Sequence, residues 1–150
     1  MTDRKFGTAI NCMDGRVQIP VIEWLRRQYG VDYVDMITEP GPERLLAEDK
    51  DRISIESIRK RLEMSVIRHN SNVVAIVGHQ DCAGNPADRE TQLRQISNAI
   101  KTVQSWNLRV QIIGLWVGRR KGKHSVDSGG PHNSPRRSYH LKWAVEDLNL

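Results

Sequence analysis

Two cysteines occur in this chain of 150 residues, and each sits where an apolar run gives way to polar groups. Cys12 lies in AINCMDGRV. Cys82 lies in VVAIVGHQDCAG, with His79 three positions before it. Two thiolates and an imidazole are good zinc ligands. A structural zinc site usually closes with four protein ligands, whereas three leave a position open for water. Such a site makes hydroxide available near neutral pH, so the chemistry on offer is metal-assisted attack on a small electrophile. Taken singly, a cysteine after a strand reads as a small buried hydrophobe, and one H-x-x-C is a weak signal. The three residues become a site only if the fold brings two distant strand ends together.

The elements that must do this are legible as a pattern. Strands are expected over 6–11, 33–38, 73–78 and 109–117. VVAIVG is continuously apolar and β-branched, as in a strand covered on both faces of a parallel sheet. Helical spacing recurs between the strands: Ile19, Ile22, Trp24 and Leu25, with Pro20 in the first turn and Gly30 at the stop. It recurs as Ile55, Ile58, Leu62 and Val66, and again as Leu93, Ile96, Ile100 and Val103. The alternation predicts one α/β domain over 1–150 with a mainly parallel β-sheet flanked by helices; if strand two pairs on one side of strand one and strand three on the other, the order is 2-1-3-4. In that order the chain reverses between strands one and three. Ligands bind at such a switch point, outside the carboxyl ends of the strands, and Cys12, His79 and Cys82 would converge there. TEPGPERLLAEDKD (38–51) reads as a loop, 118–140 as a flexible basic surface segment, and 139–150 as a short closing helix. His69 is expected at a helix end, and His124, His132 and His140 in or beside the basic segment, all four exposed.

Composition narrows the classes. Apolar residues at 38% and charged residues at 27% suit a globular domain, and Phe6 as the one phenylalanine leaves the core to Ile, Val and Leu. No apolar run approaches the roughly 20 residues of a membrane-spanning helix. The N-terminus MTDRKFGTAI lacks the features of a secretory leader, so a cytoplasmic location is expected. A reducing compartment argues against a disulfide between Cys12 and Cys82. The net charge of +5 is local. Residues 117–143 hold seven Lys or Arg against Asp127, and the other 16 basic and 17 acidic residues nearly cancel. The basic segment lacks interleaved aromatics and any nucleic-acid-binding motif, so it is read as a solvated loop and nucleic acid is not expected as a partner.

Cys12-Met13-Asp14-Gly15-Arg16 is similar to the C-x-D-x-R motif of β-class carbonic anhydrases, and His79-Gln80-Asp81-Cys82 resembles their H-x-x-C. The order, separation and intervening helix match over about 6–117. The resemblance implies zinc bound by Cys12, His79 and Cys82, with CO2 and bicarbonate as substrates. It implies Asp14 and Arg16 as a catalytic dyad: Asp14 would accept a hydrogen bond from the water and orient it towards CO2. Arg16 would hold that carboxylate in a bidentate pair, off the metal. In some members the pair is broken and the aspartate closes the zinc site. An ordinary surface ion pair is the plainer reading of Asp14 and Arg16. The resemblance also implies a homodimer or higher homo-oligomer. Trp24, Trp106, Trp116 and Trp143 are the large apolar groups for subunit contacts, with core packing as the default for each.

Departures from the family pattern cluster near the substrate side. Thr38-Glu39-Pro40-Gly41-Pro42 stands where an R-N-A-G-like loop is usual, and Ala83 follows the second cysteine where glycine is usual, with Gly84 next. Two prolines remove backbone donors, and Glu39 would repel an anion. Two alternatives therefore stand beside carbonic anhydrase activity. One is a zinc hydrolase of another small electrophile, such as carbonyl sulfide or carbon disulfide. The other is a non-catalytic zinc-binding protein of the same fold.

Overall fold

The computed structural model describes residues 3–120, 123–125 and 143–147. Its centre is the parallel sheet that the alternation predicts. β1 (Phe6–Cys12) pairs with β2 (Tyr33–Glu39) on one side and with β3 (Val73–His79) on the other, and β3 pairs with β4 (Gln111–Arg120). All three pairings are parallel. The order 2-1-3-4 follows, and β3, flanked on both edges and both faces, is buried along its whole length.

Strand side chains alternate between faces, and two cores result. Ile10, Val74, Ile76, Ile112 and Trp116 meet α2 (Pro42–Glu48), α3 (Arg52–Glu63) and α4 (Arg89–Gln104) on one face. Ala9, Val73, Ala75, Val77, Ile113 and Leu115 meet α1 (Gln18–Tyr29) on the other. The helix ends follow local chemistry. Gly30 takes a left-handed conformation (φ 61°) and closes α1 on the Arg26 carbonyl, while Asp51 and Asp88 cap α3 and α4 through the amides of Ser54 and Thr91. α3 runs on into a π turn (Met64–Arg68). The four strand cores and three long helices thus lie where the pattern places them, each within a few residues.

Three expected stretches differ. The stretch read as a loop, 38–51, contains α2. Gly41 is left-handed (φ 58°) and Pro42 takes the first helical position, so the Gly-Pro punctuation starts a helix here. Within 139–150, expected as a closing helix, the described residues form a strand, β6 (Trp143–Asp147), parallel to β4 with Gly114 opposite Trp143. An open strand edge overrides a weak local helix pattern. The basic segment also begins as sheet. β4 runs on to Arg120, and β5 (Lys123–Ser125) pairs antiparallel with it. The rest of that segment, with His132 and His140, lies outside the described residues. So do the side chains of His124 and Trp143. Trp24 and Trp116 are buried core residues, as the default reading has it, and Trp106 is partly buried against the core. His69 is exposed, as expected, yet it pairs with Asp35 at 2.6 Å and stacks on Phe6.

Candidate metal centre

Cys12 is the last residue of β1 and His79 the last of β3. These strands are adjacent and parallel, so both side chains emerge at the switch point of the sheet. Cys82 joins them from the turn that follows, where Asp81 bends the chain back with φ 56°. One ligand atom from each of Cys12, His79 and Cys82 lies within 4.8 Å of the others, and all three residues are buried. The two Sγ atoms are 3.7 Å apart and both thiols are free. That spacing is far too long for a disulfide (about 2.05 Å). It is the edge of a tetrahedron with metal–sulfur bonds of about 2.3 Å, which works out near 3.8 Å.

The imidazole supports the same reading. His79 Nδ1 lies 2.8 Å from the Gln80 carbonyl oxygen, which can only accept, so Nδ1 carries the proton. In the neutral ring Nε2 is then a lone pair, and it is buried with no hydrogen-bond partner. A backbone carbonyl fixing the far nitrogen is the usual outer arrangement of a metal-bound histidine. The residues present therefore fit a zinc-type ion. The thiols titrate in opposite directions. Burial would raise Cys12, but His79 beside it and the backbone amides of Gly41 and Asp14 outweigh that and hold it at about 7. Cys82 is pushed up to about 11, by burial first and then by the neighbouring Cys12 charge. A cation displaces the second proton as it binds.

Asp14 and Arg16 form a tight pair beside the cluster. Arg16 Nη2 donates to Asp14 Oδ2 at 2.7 Å and Nε to Oδ1 at 3.1 Å, and the Arg16 amide also donates to Oδ1. These bonds, with the Arg16 side chain foremost, hold the Asp14 carboxyl at about 2. Arg16 Nη2 also reaches the Asp81 carbonyl at 3.3 Å, so one guanidinium ties the first motif to the second. Asp14 is not among the three converging ligand residues. The Glu39 charge expected to repel anions is paired with Arg61 of α3 at 2.6 Å.

Several residues of the site carry no sequence signal. Gln18 donates to the carbonyls of Cys12 and Asp14 at 2.7 and 2.8 Å and so fixes the turn after β1. The TEPGP turn is wedged against the turn after Cys82: a Cβ on Gly41 would meet Asn85 Cβ at 2.8 Å and the Gly84 carbonyl carbon at 3.0 Å. Beneath them Glu43 and Asn85 are buried and bonded to each other. Nothing in the residue types marks Glu43 for burial.

A parallel α/β sheet with a buried Cys-His-Cys group at its switch point, and an Asp-Arg pair at its rim, defines a class of α/β protein with a group that could hold a metal ion. The chain's family agrees with that class. A family model described as "Putative carbonic anhydrase" matches residues 2–127, and the chain belongs to this carbonic anhydrase family. None of the curated proteins or solved structures compared with the chain matches it. Among the described residues no helix is long and apolar enough to cross a membrane.

Proposed function

We propose that the chain is a zinc-dependent carbonic anhydrase interconverting CO2 and bicarbonate. Cys12, His79 and Cys82 are its metal ligands, and Asp14 and Arg16 its catalytic dyad. The observation that carries this reading is the buried, unpartnered Nε2 of His79 grouped with two thiols whose sulfurs stand 3.7 Å apart. Zinc held there supplies the Lewis acidity that makes hydroxide available near neutral pH.

The chain's own residues orient that reaction. Arg16 keeps Asp14 ionised throughout the working pH range and holds its carboxylate in a bidentate pair. Each Asp14 oxygen retains acceptor capacity beyond its bonds to Arg16, so the carboxylate can take a hydrogen bond from a reacting hydroxyl. Burial of the two thiols and the imidazole limits water around the ligand set. The reading includes a cytoplasmic setting and a homodimer or higher homo-oligomer. Met13 and Ile19, 63% and 66% exposed on either side of the dyad, are apolar surface that a second subunit would cover.

Stopped-flow CO2 hydration by zinc-loaded protein tests the proposal. The rate is expected to rise with pH, and Asp14→Ala should retain zinc yet lose about 10²-fold or more, the scale for a positioned proton-handling group. A zinc-loaded wild type no faster than buffer between about pH 7 and 9 would refute the enzyme reading and favour the non-catalytic zinc protein. Light scattering that returns a monomer near 17.2 kDa would refute the oligomer.

A further inference from the structure

We propose that Glu43 is a positioning residue for the metal centre, acting through Asn85 on the turn that carries Cys82. This rests on the reading of Cys12, His79 and Cys82 as metal ligands. Glu43 is wholly buried on α2, and its Oε1 accepts from Asn85 Nδ2 at 2.7 Å. The same amide donates to Gln95 Oε1 of α4 at 2.7 Å, and the Asn85 backbone amide donates to the Cys82 carbonyl at 3.3 Å. The Asn85 carbonyl accepts from Gln92 Nε2 at 3.2 Å, and Gln92 Oε1 accepts from Trp116 Nε1 of β4 at 3.0 Å. Two helices thus bond to the one residue that closes the Cys82 turn, and β4 reaches it through Gln92.

A stability role alone does not account for this arrangement. Burying a carboxyl is costly, and a well-packed apolar residue would serve a core at least as well. Here one oxygen is committed to Asn85, and the other, Oε2, is buried with no hydrogen-bond partner. What the carboxyl delivers is a fixed acceptor that sets the orientation of the Asn85 amide, and through it the position of Cys82. Groups of this kind around metal ligands typically change affinity by about 10–100-fold when removed.

The test compares wild type with Glu43→Ala, Glu43→Gln and Asn85→Asp. Zinc affinity is read by chelator competition, the cobalt(II) absorption spectrum reports ligand geometry, and thermal unfolding is followed with and without metal. Glu43→Ala and Asn85→Asp are expected to weaken zinc by about 10–100-fold and to alter the cobalt spectrum. Glu43→Gln keeps an oxygen that can accept from Asn85 and is expected to stay within about threefold of wild type. A purely structural residue would lower melting equally with and without metal and leave affinity unchanged. Wild-type affinity and cobalt spectrum in Glu43→Ala or Asn85→Asp overturn the proposal. So does a Glu43→Gln loss as large as that of Glu43→Ala. Should Glu43→Ala fail to fold, Asn85→Asp, which changes almost no volume, decides the matter. A wild type that binds no zinc refutes the metal site itself; a wild type that binds zinc no better than its variants refutes only the role of Glu43.

Discussion

The turns after β2 and after Cys82 touch through their backbones, and a single methyl group should force them apart. A Cβ built on Gly84 would lie 2.7 Å from the Pro40 carbonyl carbon and 2.9 Å from the Gly41 nitrogen. Both are main-chain atoms that cannot rotate out of the way. Overpacking of this kind costs about 1–3 kcal/mol, and a backbone obstacle places Gly84→Ala at the upper end. In a domain of this size about 3 kcal/mol corresponds to a fall of about 6–12 °C in Tm. Gly41→Ala should cost about 1 kcal/mol more, because φ is 58° there as well. The double substitution should cost less than the sum, since the first methyl already opens the gap that the second needs. Gly15→Ala is the control: it lies in the first motif with nothing within 4 Å of its Cβ and should stay within about 0.5 kcal/mol of wild type. Thermal and urea unfolding measure all four proteins. Zinc affinity should fall with stability for Gly84→Ala and not for Gly15→Ala. A Gly84→Ala protein melting within about 1 °C of wild type would refute the reasoning, because it would mean the two turns are free to separate.

Zinc should copurify at about one ion per chain, and Cys12→Ser or His79→Ala should remove most of it by elemental analysis; full occupancy in a Cys12/Cys82 double mutant sinks the ligand assignment. Asp14 lies at about 2 in the folded chain against an ordinary 3.8. Its stabilising contribution is therefore complete above about pH 4 and lost as pH falls through 2. Half-exposure of Arg16 limits that contribution to about 1 kcal/mol; an Asp14→Asn protein with the same acid limb in its stability–pH curve contradicts this. Trp116→Phe removes the donor to the buried Gln92 Oε1 and should cost about 1–3 kcal/mol in urea unfolding. No measurable change would mean that the amide finds another partner.

The parallel α/β sheet was legible in the residues alone, whereas its 2-1-3-4 order, on which the meeting of the two polar strand ends depends, entered as a condition that the structure meets. VVAIVG has the continuously apolar, β-branched composition expected of a doubly covered strand, and helical stripes of Ile, Leu and Val separate it from its neighbours; its place between β1 and β4 comes from the structure. The place of a cysteine or histidine one step beyond such a strand is then set by topology. The resemblance marked Asp14 and Arg16 but left open whether they pair with each other or the aspartate turns to the ligand group; the pairing appears only in the tertiary structure. α2 and β6 were not legible. PGPERLLAE carries both breaker and helix signals, and the packed Leu46 and Glu43 settle between them. YHLKWAVEDLNL reads locally as a helix until the unpaired edge of β4 is there to receive it. Glu43, Asn85 and Gln92 were the least visible, since their residue types favour the surface. Burial of such groups depends on partners 7 to 42 positions away. Local sequence encodes period and turn chemistry over a few residues, whereas satisfying a buried polar group is a property of the assembled neighbourhood.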